Sequence, residues 1–171
     1  MEEKEIVNRV SSSSLITFDL EQHYQPGERV LIDIKDQLFQ GLVLREKDFR
    51  NFIKTHDWSQ YENKFVAIHC STDAVIPTWA YMLLTIALEP FTRKTFFGTL
   101  EDLEVQLFQE TLSAIAWEQY RGAKVVIKGC SKINVPVAAY VEATDRLTPV
   151  VSGLMFGEPC STVPLYKKPK S

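Results

Sequence analysis

The chain has 171 residues, 45% of them hydrophobic and 24% charged, with a mean hydropathy of −0.10; that is enough apolar material for one core-bearing domain and too much for a disordered chain. Nineteen Lys and Arg against 22 Asp and Glu leave a formal charge of −3, which offers no electrostatic footprint for a phosphate backbone, so nucleic acid is not an expected partner. The acidic opening leads into no leader-like apolar region, and the richest apolar run, 74–88, is broken by Pro77 and Thr78, so a cytoplasmic protein without a membrane span is expected.

In chain order, residues 1–36 read as an N-terminal extension. It holds a short polar helix over 2–10, a serine loop over 11–14, a Pro26-Gly27 turn and a strand over 30–34. A second strand is expected over 38–44. Phe49, Phe52, Ile53 and His56 then fall at i, i+3, i+4 and i+7, the stripe of an amphipathic helix. Residues 65–68 form a continuous apolar run, as in a strand buried on both faces, and Pro77 opens a further helix. Leu103, Leu107, Leu112 and Ile115 mark the next helix, with Asp102 near its start. A buried strand over 125–127, a helix opened by Pro136 and a tail over 148–171 complete the chain.

The order repeats itself. Phe39-Gln40-Gly41 returns as Phe96-Phe97-Gly98, Trp58-Ser59-Gln60-Tyr61 as Trp117-Glu118-Gln119-Tyr120, Cys70-Ser71 as Cys130-Ser131, and Pro77 with Ala80-Tyr81 and Thr85 as Pro136 with Ala139-Tyr140 and Thr144. The expected architecture is a single α/β domain of two duplicated βαβα units, 37–88 and 94–147, related by a pseudo-twofold axis, with mixed sheets flanked by helices.

Each of the three cysteines precedes a serine: Cys70, Cys130 and Cys160. Two occupy the same point of the repeat, past the carboxyl end of a buried strand, where loops and helix N-termini of open α/β sheets converge on ligands. Equivalent points near a pseudo-twofold axis approach one another, and Cys160 in the Pro-flanked tail closes a three-thiolate set suited to zinc or an iron–sulfur cluster. Asp73, three residues beyond Cys70, is the preferred fourth ligand over His69, which adjoins Cys70 and would point the other way; Glu158 or water are the remaining options. The competing reading is that each cysteine is a small buried core residue. Trp58, Trp117, Tyr61 and Tyr120 read as anchors of helices on the sheet, His23 and His56 as surface or satisfied core histidines, and no phosphate-binding glycine motif is present.

The stretches Cys70-Ser71-Thr72-Asp73-Ala74-Val75-Ile76-Pro77-Thr78-Trp79-Ala80-Tyr81, Lys128-Gly129-Cys130-Ser131 and Gly157-Glu158-Pro159-Cys160-Ser161-Thr162-Val163-Pro164 resemble the signatures of an uncharacterised bacterial family, domain of unknown function 2480. The resemblance covers nearly the whole chain. It implies gene neighbourhood with the SUF machinery that assembles iron–sulfur clusters, and hence assembly proteins as partners. The functional expectation is a metal-binding accessory protein that uses Cys70, Cys130, Cys160 and Asp73. Two alternatives stand beside it: an enzyme with Cys70 as a nucleophile activated by the amides of the helix that Pro77 opens, and an interaction protein whose cysteines are inert.

Overall fold

The computed structural model describes residues 15–129, 132–158 and 160–169. In chain order its elements are β1 (Leu15–Asp19), β2 (Arg29–Asp33), α1 (Glu46–Thr55), β3 (Phe65–His69), α2 (Thr78–Leu88), β4 (Lys94–Phe97), α3 (Leu100–Ser113), β5 (Lys124–Lys128), α4 (Val137–Leu147), β6 (Gly153–Glu158) and β7 (Ser161–Lys167). Short 3-10 turns occupy Leu20–His23, Ile34–Gln37, Trp58–Tyr61 and Trp117–Tyr120. The chain divides into a contiguous unit, Pro26–Gln106, and a split unit made of the residues up to Gln25 together with those from Leu107 onward.

The contiguous unit is built on a parallel sheet of order β2-β3-β4, in which Arg29 pairs with Phe65 and Phe65 with Lys94. Its central strand buries Phe65, Val66, Ala67 and Ile68 in succession, the unbroken apolar run that a strand covered on both faces requires. The stripe on α1 buries Phe49 and half-buries Phe52 and Ile53. These pack with Trp58, Val66, Ile68, Ala80, Leu84 and Leu88 in one core. Glu46 and Asp48 in the first turn of α1 and Lys54 in its last complement the helix dipole. Pro77 caps α2 at φ −59°, the angle its ring already imposes.

The strand expected over 38–44 is not formed. Gln40 and Gly41 take φ of 53° and 70°, so the chain turns back on itself, and the Phe39 N–H donates to the Val43 carbonyl at 2.8 Å in an isolated bridge. Two consecutive left-handed residues end any extended run. Consequently 37–88 lacks the leading strand of a βαβα unit, whereas 94–147 begins with β4, which hydrogen-bonds into the sheet of the contiguous unit. The Phe39-Gln40-Gly41 and Phe96-Phe97-Gly98 stretches therefore differ in conformation.

The split unit has a sheet of order β1-β5-β6-β7, with β1, β5 and β6 parallel and β7 antiparallel on β6. Leu15–Asp19 thus contributes a strand, and the expected tail contributes two, β6 and β7. The unit's core gathers Phe18, Leu20, Phe108, Leu112, Val125, Ile127, Ala139, Ala143, Leu147 and Leu154. The helix α3 crosses the division between the units, and a capping box opens it. The Thr99 N–H donates to Asp102 Oδ2 at 2.9 Å, and the Asp102 N–H donates to Thr99 Oγ1 at 3.2 Å. Pro136 caps α4 as Pro77 caps α2. The helix expected over 2–10 lies outside the described residues. No described helix is long and apolar enough to cross a membrane.

Candidate functional site

In parallel sheets, side chains beyond the carboxyl ends of the strands are free to converge. In the contiguous unit β2 ends on Asp33 and β3 on His69, which are partners in register. Asp33 is the N-cap of the following 3-10 turn, and its Oδ1 accepts the N–H of Lys35 at 3.0 Å and that of Ser71 at 3.0 Å. One carboxylate thereby fixes both the turn after β2 and the loop after β3. Burial pushes its carboxyl up, but hydrogen bonds from the Ser71 side chain, the Lys35 and Ser71 N–H groups and the Lys35 side chain more than offset this. They hold it at about 2, against an ordinary 3.8.

Cys70 follows at once. Its thiol is half-buried, with Sγ 3.4 Å from Thr72 Oγ1 and 3.8 Å from the Thr72 carbonyl. Across the loop, Tyr81 of α2 sits edge-on to Phe97, ring centroids 5.1 Å apart. Burial raises the Tyr81 phenol, with smaller electrostatic contributions from Cys70 and Asp33 in the same direction. Asp102 at the head of α3 is held low by the N–H and hydroxyl of Thr99, with a smaller contribution from the positive charge of His69.

The split unit has the same scaffold with other chemistry. β3, α2 and β4 start 59 residues before β5, α4 and β6 (Phe65 and Lys124, Thr78 and Val137, Lys94 and Gly153). Asp19, like Asp33, caps a 3-10 turn, accepting the Glu21 N–H at 3.1 Å. Its register partner is Lys128, whose Nζ lies 3.6 Å from Asp19 and 3.7 Å from Glu158. In this frame the counterpart of Cys70 is Gly129, and a Cβ there would lie 2.8 Å from the Tyr140 hydroxyl. Tyr140, edge-on to Phe156 at 5.8 Å, is the counterpart of Tyr81. Counted in sequence by the same offset of 59, Cys130 corresponds to Ser71 and not to Cys70.

Of the expected ligands, Cys70 is half-buried and Asp73 exposed; the described loop turns the thiol to Thr72. Cys160 is exposed in the turn between β6 and β7, and Glu158 is engaged by Lys128. Cys130 lies outside the described residues. Among the described residues no group of three or more His, Cys, Asp or Glu is placed to hold a metal ion. Sequence reading passed over Asp33, whose signal was available: an Asp ending an apolar run and followed by Ile34-Lys35, as Asp19 is followed by Leu20-Glu21.

Each unit also carries an apolar groove in the same place. Between α2 and β4 it measures about 350 Å³ and is lined by Ile68, Tyr81, Met82, Ile86 and Phe97 among others. Between α4 and β6 it measures about 270 Å³, with Ile127, Val137, Tyr140, Phe156 and, from β7, Leu165.

The family model described as protein of unknown function (DUF2480) matches residues 4–168. No curated protein and no solved structure matches.

Proposed function

The chain belongs to this DUF2480 family, and from the accessibility of Cys70 and Cys160 we propose that it is a metal-binding accessory protein. It would use Cys70, Cys130 and Cys160, with Asp73 as an oxygen ligand, to hold zinc or an iron–sulfur cluster, and serve iron–sulfur assembly proteins in a reducing, cytoplasmic setting. One observation carries the reading. The inert alternative requires core cysteines, yet Cys70 is half-buried and Cys160 exposed, although free cysteine is among the most buried residue types. Accessible thiols in a reducing compartment are the ones available to soft metals. Cys70, Cys160 and Asp73 are among the described residues and are not grouped to hold a metal ion, so the reading rests on the accessibility of the thiols. Metal analysis and absorption spectra of protein purified without oxygen test this. Stoichiometric zinc or iron, reduced by each of Cys70→Ser, Cys130→Ser and Cys160→Ser, is the expected result. Metal-free protein whose thermal midpoint does not rise on adding Zn(II) or Fe(II) would overturn it.

We also infer an internal duplication, with boundaries other than 37–88 and 94–147. Arg29–Gly98 corresponds to Leu15–His23 joined to Leu100–Gly157. Support comes from the shared order strand, 3-10 turn, helix, 3-10 turn, strand, helix, strand; the unbroken offset of 59 from Trp58 and Trp117 to Gly98 and Gly157; and the same Tyr-on-Phe contact in each. Both terminal glycines take a positive φ, 136° and 118°.

A further inference from the structure

The two units differ at one sheet edge. In the split unit β6 receives β7 antiparallel, with Phe156 opposite Val163 and Met155 opposite Pro164, and Leu165 of β7 walls the groove beside α4. The counterpart of β6 is β4, an edge strand with no described strand on its outer side. Beside it α2, Thr-Trp-Ala-Tyr-Met-Leu-Leu-Thr-Ile-Ala-Leu, has no charged residue, while α4 carries Glu142, Asp145 and Arg146 in its outer turns. A helix apolar all round is normally a covered helix. Met82, Ile86 and Phe97 are nevertheless 60%, 68% and 65% exposed, and they line one groove.

We propose that this face is the interface of a twofold dimer. The β4 strands of two copies pair antiparallel, and the Met82–Ile86 face of α2 packs on the same face of its partner. Antiparallel addition is what the equivalent edge of β6 already accepts, and a twofold axis permits no other pairing of identical strands. Charge decides the occupant. The groove contains no charged residue and β4 carries one, Lys94, so a second copy brings an equally apolar groove face, whereas charged side chains laid over the groove would lose hydration with no groove residue to pair them. Pairing centred between Thr95 and Phe96 sets Lys94 opposite Phe97 and keeps the two lysines at opposite ends. Pairing of β4 with β7 of another copy is opposed by Pro164 and Lys167 on β7, residues that blunt an edge.

Sedimentation equilibrium of the full chain in the presence of a metal chelator tests the dimer independently of any metal site. The expected result is a dimer at micromolar concentration whose dissociation constant rises on the order of 30-fold or more in Ile86→Asp. Asp145 holds the corresponding place on α4, so the fold accommodates that residue, and unchanged circular dichroism checks it. Val141→Glu, at the position on α4 that matches Met82, should leave the dimer intact. Amide exchange at Thr95–Phe97 should quicken on dilution of the wild type and in Ile86→Asp. A wild type that stays monomeric at about 100 μM, a dimer unaffected by Ile86→Asp, or a monomer whose β4 amides are protected only by an added apolar peptide would each overturn the second copy as occupant.

Discussion

The contiguous and split units share an element order and differ in what they hang on it. Beyond the strand ends, one presents Asp33, His69 and the Cys70 thiol, while the other presents an ionic chain of Asp19, Lys128 and Glu158. At the groove, one leaves Met82 and Ile86 in the open and the other closes part of the same space with Leu165. The shared parts are those that backbone geometry demands: a carboxylate capping the turn after the first strand, a proline opening the helix, a glycine with positive φ at the end of the third strand. The divergent parts sit where the frame makes no demand, and there chemistry is free to vary.

Four sets of substitutions sharpen the comparison, from the largest expected effect downward. Leu84 is fully buried on α2, and its counterpart on α4 is Ala143. Leu84→Ala should cost about 2–5 kcal/mol in urea unfolding, and Ala143→Leu about 1–3 kcal/mol by overpacking; if the two cores were packed alike in volume, the second change would be neutral. Next, Gly157→Ala forces a left-handed alanine whose Cβ meets the Ser161 carbonyl oxygen at 2.7 Å, so a loss of about 2 kcal/mol is expected. At Gly98 the atom met at the same distance is a side-chain oxygen of Asp102. Gly98→Ala should therefore act through the α3 cap, and combination with Asp102→Ala should be less than additive.

The third concerns acid. Asp33 is held below its ordinary value, so its stabilisation is complete above pH 4 and drains away as the pH falls toward 2. Unfolding free energies followed from pH 6 down to 2 should show a shallower acid limb in Asp33→Asn than in the wild type; parallel curves would mean the carboxylate is not held by the Ser71 loop. The smallest effect is at the tryptophans. Trp58 Nε1 donates to the Ile53 carbonyl at 2.8 Å, whereas Trp117 Nε1 is buried with no hydrogen-bond partner among the described residues. Trp58→Phe should cost about 1 kcal/mol and Trp117→Phe close to nothing, as measured by chemical denaturation.

Periodicity made the interior legible. The runs around Val66 and Val126 and the stripe of Phe49, Phe52 and Ile53 lie where apolar spacing puts them, because burial on two faces or on one face leaves different marks in a chain. Residues 38–44 misled for an equally physical reason: alternation around Gln40-Gly41 looks extended, but both residues take left-handed angles, and that choice is made by the turn. The apolar alternation that resumes at Leu15 was too short to place β1, whose five residues are stabilised by pairing with β5, more than a hundred positions away. Pro164 hid β7, being tolerated at an edge beside the irregular register between Leu154 and Met155. The cysteines were matched by identity, whereas the sheet counts by register. One place of difference exchanges Cys70 for Gly129, and no residue pattern records which of the two rules the fold obeys.

The division of the split unit has a consequence for how the chain comes to be folded. Leu15 must find Lys124, a closure of great sequence separation, and such pairings are slow because the entropy of the intervening loop is lost before any contact repays it. Here the intervening segment is itself a complete sheet with its helices. Its two ends leave from neighbouring points: the Gln25 side-chain amide donates to the Leu107 carbonyl at 3.1 Å and to Thr111 Oγ1 at 3.2 Å. During synthesis from the N-terminus, Pro26–Gln106 can therefore finish first and act as a short rigid tether in place of an eighty-residue loop. The waiting β1 strand is thereby delivered close to where β5 will emerge.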